Sequence, residues 1–217
     1  MSNATHWWWI RHAPVTCNDG RIYGQTDHPA DCSETAPFKG LAQLLPQDAL
    51  WITSNLRRTR DTMEAVAPYR SSPLPVAEVV ASFAEQHFGD WQGLRHDELR
   101  TRPEREAHRF WLAPAATCPP GGESFVDLMN RVSTAITDLS RQHSGRHIVV
   151  FAHGGTIRAA LALALGLDPE RALGFTIENC SLTRIEHWAE GETGPESWRV
   201  VTTNHDPRGY ANGVKQF

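Results

Sequence analysis

Four bulky apolar residues in a row, Trp7-Trp8-Trp9-Ile10, stop abruptly at Arg11-His12-Ala13-Pro14. Such a run has no amphipathic helical period, and bounded by a turn signal it reads as a buried strand covered on both faces. Pro14 ends it and biases Ala13 towards extended backbone, so the chain cannot pass directly into a helix. His12 is therefore expected on a loop at the strand's tip. A second apolar run, Val149-Val150-Phe151-Ala152, stops in the same way at His153-Gly154-Gly155-Thr156. Ligands of open parallel sheets gather at the carboxyl ends of the strands, so two strand-end histidines can face one site.

The segments between these runs alternate. A long loop rich in Gly, Asp, Thr and Pro spans 17–37, the kind of irregular connection that often carries function. A short helix is expected over 38–45, a strand over 49–52 and a helix from about Leu56, with Thr53-Ser54 offering capping hydroxyls. That helix opens on Arg57, Arg58 and Arg60, which oppose the macrodipole unless an anion is bound beside them. A third strand is expected over 75–80, and 83–122 then breaks the alternation as a capping insertion.

From Ser124, the positions Phe125, Leu128, Met129, Val132, Ile136 and Leu139 keep a helical period and read as core. Gly145 ends this helix. A strand over 147–152, a helix over 156–165 and a closing strand pair, 182–188 and 199–203, follow, and the last dozen residues read as a mobile tail. The expected fold is α/β: one domain over 1–217, a three-layer α/β/α sandwich with a mostly parallel central sheet and a capping insertion at about 83–122.

Composition excludes several functions. With 217 residues, a formal charge of −4 and a pI near 6.2, the chain lacks the basic surface of a nucleic-acid binder. It shows no signal-peptide pattern and no run near the ~20 apolar residues that span a bilayer, so a cytoplasmic protein without membrane attachment is expected. Cys17, Cys32, Cys118 and Cys180 lack the spacing of a zinc knuckle or disulfide framework and read as free thiols. His143 and His147 stand four apart, but Ser144-Gly145 breaks the helix between them, so neither metal nor cofactor is expected.

The ordered set Arg11-His12 with Asn18, Ser54-Asn55-Leu56-Arg57-Arg58, Glu85 before Phe88-Gly89-Asp90-Trp91-Gln92-Gly93, Pro120-Gly121-Gly122-Glu123-Ser124 and His153-Gly154-Gly155 resembles the histidine phosphatase superfamily. The resemblance covers most of the chain and is closest in appearance to α-ribazole phosphatase-type members of the phosphoglycerate mutase-like branch. It implies His12 as nucleophile, Glu85 as proton donor, and Arg11, Arg58 and His153 as the rest of a phosphate pocket, with Asn18 a further contact. Arg57 takes the family's variable place, facing solvent or the substrate, and Asp61 stands where glutamine is common. Two features depart from the pattern: Ala13-Pro14 replaces the usual glycine after the histidine, and the usual motifs between Pro29 and Ala42 are missing.

Chemistry supports these roles. Phosphoryl transfer spreads negative charge over the equatorial oxygens, so fixed arginine forks suit it. A histidine can attack through one nitrogen while a hydrogen bond holds the other. A general acid needs a carboxyl that is desolvated or close to anionic phosphate, and Phe83, Phe88 and Trp91 are expected to wall Glu85 in. The implied activity is a metal-independent phosphomonoesterase working through a phosphohistidine. Its rivals are a mutase on the same pocket and a non-catalytic phosphate-binding protein. Expected partners are a small-molecule phosphomonoester and, at most, a second copy in a homodimer. Trp91, Phe110 and Trp111 are expected to form an apolar lid suited to a leaving group larger than glycerate.

Overall fold

Strand β1 (Thr5–Arg11) forms from the tryptophan run and lies inside a six-stranded sheet. The computed structural model describes residues 4–103, 105–191 and 194–211. In chain order there follow α1 (Ala36–Leu44), β2 (Leu50–Thr53), α2 (Arg57–Val66), β3 (Glu78–Val79), α3 (His96–Arg100), α4 (Phe125–Gln142), β4 (His147–Ala152), α5 (Gly154–Leu165), α6 (Pro169–Ala172), β5 (Leu182–Trp188) and β6 (Ser197–His205). The sheet order is β3-β2-β4-β1-β5-β6. Its first four strands are mutually parallel, and β5 and β6 close it as antiparallel neighbours.

Strand periodicity explains why four apolar residues stand together. Trp7 and Trp9 point to the face packed by α4 and α5, with Val132, Ile136 and Leu161 in the same cluster. Trp8 and Ile10 point to the opposite face, beside Phe38 and Leu41 of α1 and Met63 and Val66 of α2. Both faces are covered, which makes the strand apolar throughout and the architecture three-layered. Helix α4 matches its sequence pattern: five of the six expected core residues are buried and Met129 is half-buried. Ser124 caps it, accepting the Asp127 N–H while the Asp127 carboxylate accepts the Ser124 N–H.

Three expectations need correction. The strand expected over 75–80 shrinks to Glu78–Val79, which pairs only with Ile52 and Thr53; Val76 is 97% exposed, and a side chain with nothing to pack on does not hold the strand. The closing strand is longer than 199–203 and runs over Ser197–His205. The presumed tail begins as structure, because Pro207–Tyr210 forms a 3-10 turn with Pro207 buried on α1. A Cβ on Gly40 would fall 1.8 Å from the Pro207 carbonyl oxygen, so only glycine permits this approach. Residues 212–217 lie outside the described residues.

Between 83 and 122 the described chain adds no strand to the sheet. It forms a small cluster of its own in which Phe88, Trp91, Leu99 and Ala113 pack with Ile22 from the 17–37 loop. No described helix is long and apolar enough to cross a membrane, and all four cysteines are free.

Candidate active site

Parallel pairing builds the centre of the site. Strands β1 and β4 are adjacent and in register, with Arg11 opposite Ala152, so the next residues, His12 and His153, leave the sheet side by side. Their rings lie 5.2 Å apart, and both are buried. The His12 N–H donates to the Ala152 carbonyl, which carries the ladder one step past the strand.

The His12 ring is held by its own loop. Nδ1 lies 2.6 Å from the Ala13 carbonyl oxygen, which can only accept, so Nδ1 carries the hydrogen and Nε2 keeps its lone pair. Ala13 needs no positive φ, so alanine followed by proline fits where the family has glycine. The Ala13 N–H donates to Thr62 Oγ1 (2.8 Å), and the Thr62 hydroxyl donates to the Arg58 carbonyl (2.7 Å), tying this loop to α2. Asn179 Nδ2 donates to the His12 carbonyl from the other side.

Helix phase separates the arginines. Arg58 shares the inward face of α2 with Thr62 and Val66 and is fully buried. It donates to the carbonyls of Gly24 (2.6 Å) and Thr26 (3.0 Å), and its guanidinium lies over the Tyr23 ring at 5.0 Å. Arg57 points outward and pairs with Asp61, four residues on. Ser54 does not cap α2 as expected; Asp27 does that from the long loop, accepting the Arg57 N–H. Instead the Ser54 hydroxyl accepts the Leu56 N–H and lies 2.8 Å from His153 Nε2.

Glu85 reaches the same centre from the insertion. Its carboxylate accepts the Gly155 N–H at 3.2 Å, at the amino terminus of α5, and the Gln86 N–H at 2.9 Å. The expected apolar wall is therefore wrong in part. Phe83 packs edge-on to Trp7 and Trp9, and Trp91 belongs to the insertion's own cluster, which leaves Phe88 alone beside the cavity Glu85 lines. A Cβ on Gly155 would sit 2.3 Å from Glu85 Oε1, so glycine is what lets the carboxylate reach the helix end.

Arg131, which sequence reasoning missed, clamps this segment. It forms a two-point pair with Glu123 and donates to the carbonyls of Ser82, Ala84 and Glu85. Nothing short-range in the sequence links residues 85, 123 and 131.

A cavity of about 520 Å³ opens beside these groups, lined by Arg11, Asn18, Tyr23, Glu85 and Trp111 among others. Asn18 Nδ2 donates to the Arg21 carbonyl, so it reaches the cavity already tethered. His12 and Arg58 lie immediately behind the wall: His12 stands edge-on to Tyr23, and Arg58 holds Gly24. Of the three aromatic residues expected to form a lid, Phe110 and Trp111 line the cavity and Trp91 does not. Trp111 also packs on Phe125, hydrogen-bonds Gln86 Oε1 and covers the Arg158 guanidinium at 4.7 Å. Arg158, a second missed residue, is anchored on the Phe175 carbonyl, and burial pulls its pKa down to about 10.

Positive charge dominates the electrostatics. Burial first, then the Arg58 and Arg11 charges, push the pKa of His12 well below 6.5. His153 is lowered by burial and then by Arg58, His12 and Arg11. Arg58 is itself lowered by burial, which disfavours its charge. Three buried nitrogens here have no acceptor among the described residues: Arg11 Nε, Arg58 Nε and His153 Nδ1. Among the described residues, no group of three or more His, Cys, Asp and Glu side chains is arranged to hold a metal ion.

In the free protein, NMR titration should find His12 still neutral at its ordinary midpoint of 6.5 and protonating only at lower pH. The unfolded chain binds protons at these two histidines before the folded chain does, so stability should fall as pH drops below 6.5. A His12 midpoint at or above 6.5 would contradict the described electrostatics.

Known proteins share this chain's sequence pattern and fold. The family description of the histidine phosphatase superfamily (branch 1) matches residues 7–202. A 2,3-bisphosphoglycerate-dependent phosphoglycerate mutase 2 of Gloeobacter violaceus is 32% identical over 188 residues, covering 84% of this chain and 85% of that protein. A glucosyl-3-phosphoglycerate phosphatase of Mycobacterium tuberculosis is 34% identical over 212 residues, covering 90% and 92%. The solved structure of a mycobacterial glucosyl-3-phosphoglycerate phosphatase superposes with a TM-score of 0.76 at 26% identity, covering 93% of this chain and 99% of that one. An α-ribazole phosphatase structure from Shigella flexneri, at 24% identity and a TM-score of 0.71 and covering 92% of this chain and 97% of that one, shares the fold. Matched over residues 7–202, nearly its whole length, the chain belongs to branch 1 of the histidine phosphatase superfamily.

Proposed function

We propose that the chain is a phosphomonoesterase that hydrolyses a small-molecule phosphate ester through a phosphohistidine on His12, without a metal. The observation that carries this reading is the set of unpartnered nitrogens on Arg11, Arg58 and His153 around a buried, neutral histidine whose Nε2 is free. Phosphate oxygens supply the acceptors these groups lack, and the arginines meet charge as it develops. With the Ser54 hydroxyl donating to His153 Nε2, Nδ1 carries that ring's hydrogen and donates as well.

In the first step, His12 Nε2 attacks phosphorus, the bond to the ester oxygen breaks, and the departing oxygen takes a proton from the Glu85 carboxyl. In the second, water attacks the phosphohistidine and gives its proton back to Glu85. The P–N bond breaks, Nε2 recovers its lone pair and phosphate leaves. The phosphatase-named relatives support hydrolysis. The mutase-named relative favours a second outcome, capture of the phosphoryl group by an alcohol instead of water.

Fixed guanidinium charge leaves no task for a metal in this scheme. Activity on p-nitrophenyl phosphate should survive EDTA, and vanadate should inhibit competitively, because its trigonal form resembles the transferring group. A mycobacterial phosphatase of the same fold was solved with VO3. Loss of activity on chelation, restored by a divalent ion, would reject the scheme.

A further inference from the structure

The cavity outside the phosphate-binding groups is not uniformly apolar. Phe88, Phe110 and Trp111 line it, and so do Arg21, His96 and Arg109. Among the described residues Glu85 is the only carboxylate that lines it, although the chain as a whole carries a formal charge of −4. Cations are therefore concentrated here against the overall balance.

The proposed chemistry does not use these three residues. Arg11 and Arg58 meet the transferring phosphoryl group, while Arg21 is held outside them, its Nη1 donating to the Gly93 carbonyl and lying 3.9 Å from Glu98. Arg109 is exposed, beside Phe110, and has no hydrogen-bond or ion-pair partner among the described residues. An exposed guanidinium that lines a cavity beside aromatic rings, with no partner among the described residues, suits an anion attached to an apolar body. A volume of about 520 Å³ is also more than a phosphoryl group on a three-carbon alcohol fills.

Resting on the phosphomonoesterase reading, we infer that the substrate is a phosphomonoester whose alcohol has an apolar, ring-like body and a second negative charge, with Arg109 reading that charge and Arg21 and His96 supporting it. The second charge is a carboxylate or a further phosphate. Trp111 and Phe88 receive the body, so orientation is set at both ends of the ligand.

The test compares four aryl esters: phenyl phosphate, 4-carboxyphenyl phosphate, its uncharged isostere 4-carbamoylphenyl phosphate, and 1,4-phenylene bisphosphate. The carbamoyl group makes the better leaving group, so intrinsic reactivity works against the expected order. Wild-type kcat/KM should be about tenfold or more higher for the carboxylate or the bisphosphate than for the carbamoyl ester, the range of a charge-assisted contact. Whichever charged ester leads identifies the second group.

In Arg109→Gln, the ratio of charged to carbamoyl ester should fall by at least about fivefold while phenyl phosphate turnover and vanadate inhibition stay within about twofold. The Arg21→Gln/Arg109→Gln double variant should remove the rest of the preference. A wild-type ratio within twofold of one, or a ratio unmoved in the double variant, overturns the inference. Failure of the underlying reading is distinguishable, since it would appear as phenyl phosphate hydrolysis that persists in His12→Ala.

Discussion

His12→Ala is expected to lower kcat/KM by about a thousandfold or more, because removing a nucleophile deletes the covalent path and leaves only binding and charge stabilisation. The fold should survive. The backbone bond from the His12 N–H to the Ala152 carbonyl and the Asn179 contact to the His12 carbonyl do not involve the ring. His12→Asn, nearer in volume, guards against a collapsed cavity beside His153, and thermal melting should show both variants folded. Retention of more than a tenth of wild-type activity by a folded His12→Ala would reassign the nucleophile.

Arg58→Ala should remove roughly 2–4 kcal/mol of transition-state stabilisation, about 30-fold to 10³-fold in rate, as for loss of one preorganised donor to developing charge. Arg57→Ala should stay within about twofold, since that side chain is exposed and its pair with Asp61 is of the kind that contributes little. Arg58 also holds the Gly24 and Thr26 carbonyls, so its removal loosens the 17–37 loop and is expected to lower Tm as well. Arg58→Lys separates the two effects. It keeps the charge but loses the planar fork, and should recover stability more than rate. Equal losses for Arg57→Ala and Arg58→Ala, or the reverse order, would place the wrong arginine in the pocket.

The sheet and its centre were legible because they are encoded locally. Each histidine ends an apolar run, and a parallel sheet needs only register to set them side by side, as Arg11 opposite Ala152 does. The choice of Arg58 came with the family resemblance, and the inward phase it shares with Thr62 and Val66 gives it a physical basis. What sequence could not show depends on contacts between remote segments: the Arg131 clamp, the Ser54 hydroxyl against His153, and the packing of Arg158 beneath Trp111. Trp91 was misplaced for a related reason. An aromatic residue in an irregular insertion has no periodicity to say which way it faces, and here it turns into the insertion's own cluster. The 75–80 segment failed by propensity alone, since an edge strand two residues long has almost nothing to pack against.

The central claim is the covalent bond between phosphorus and His12 Nε2. Mixing the enzyme with labelled phosphomonoester for milliseconds and quenching in alkali should leave up to one phosphoryl group per chain, stable to base and lost in acid, and peptide mapping should place it on His12. The same quench on His12→Ala should leave none. Rapid turnover by the wild-type enzyme with no trapped phosphoryl group, or a label mapping to His153 instead, would contradict the account.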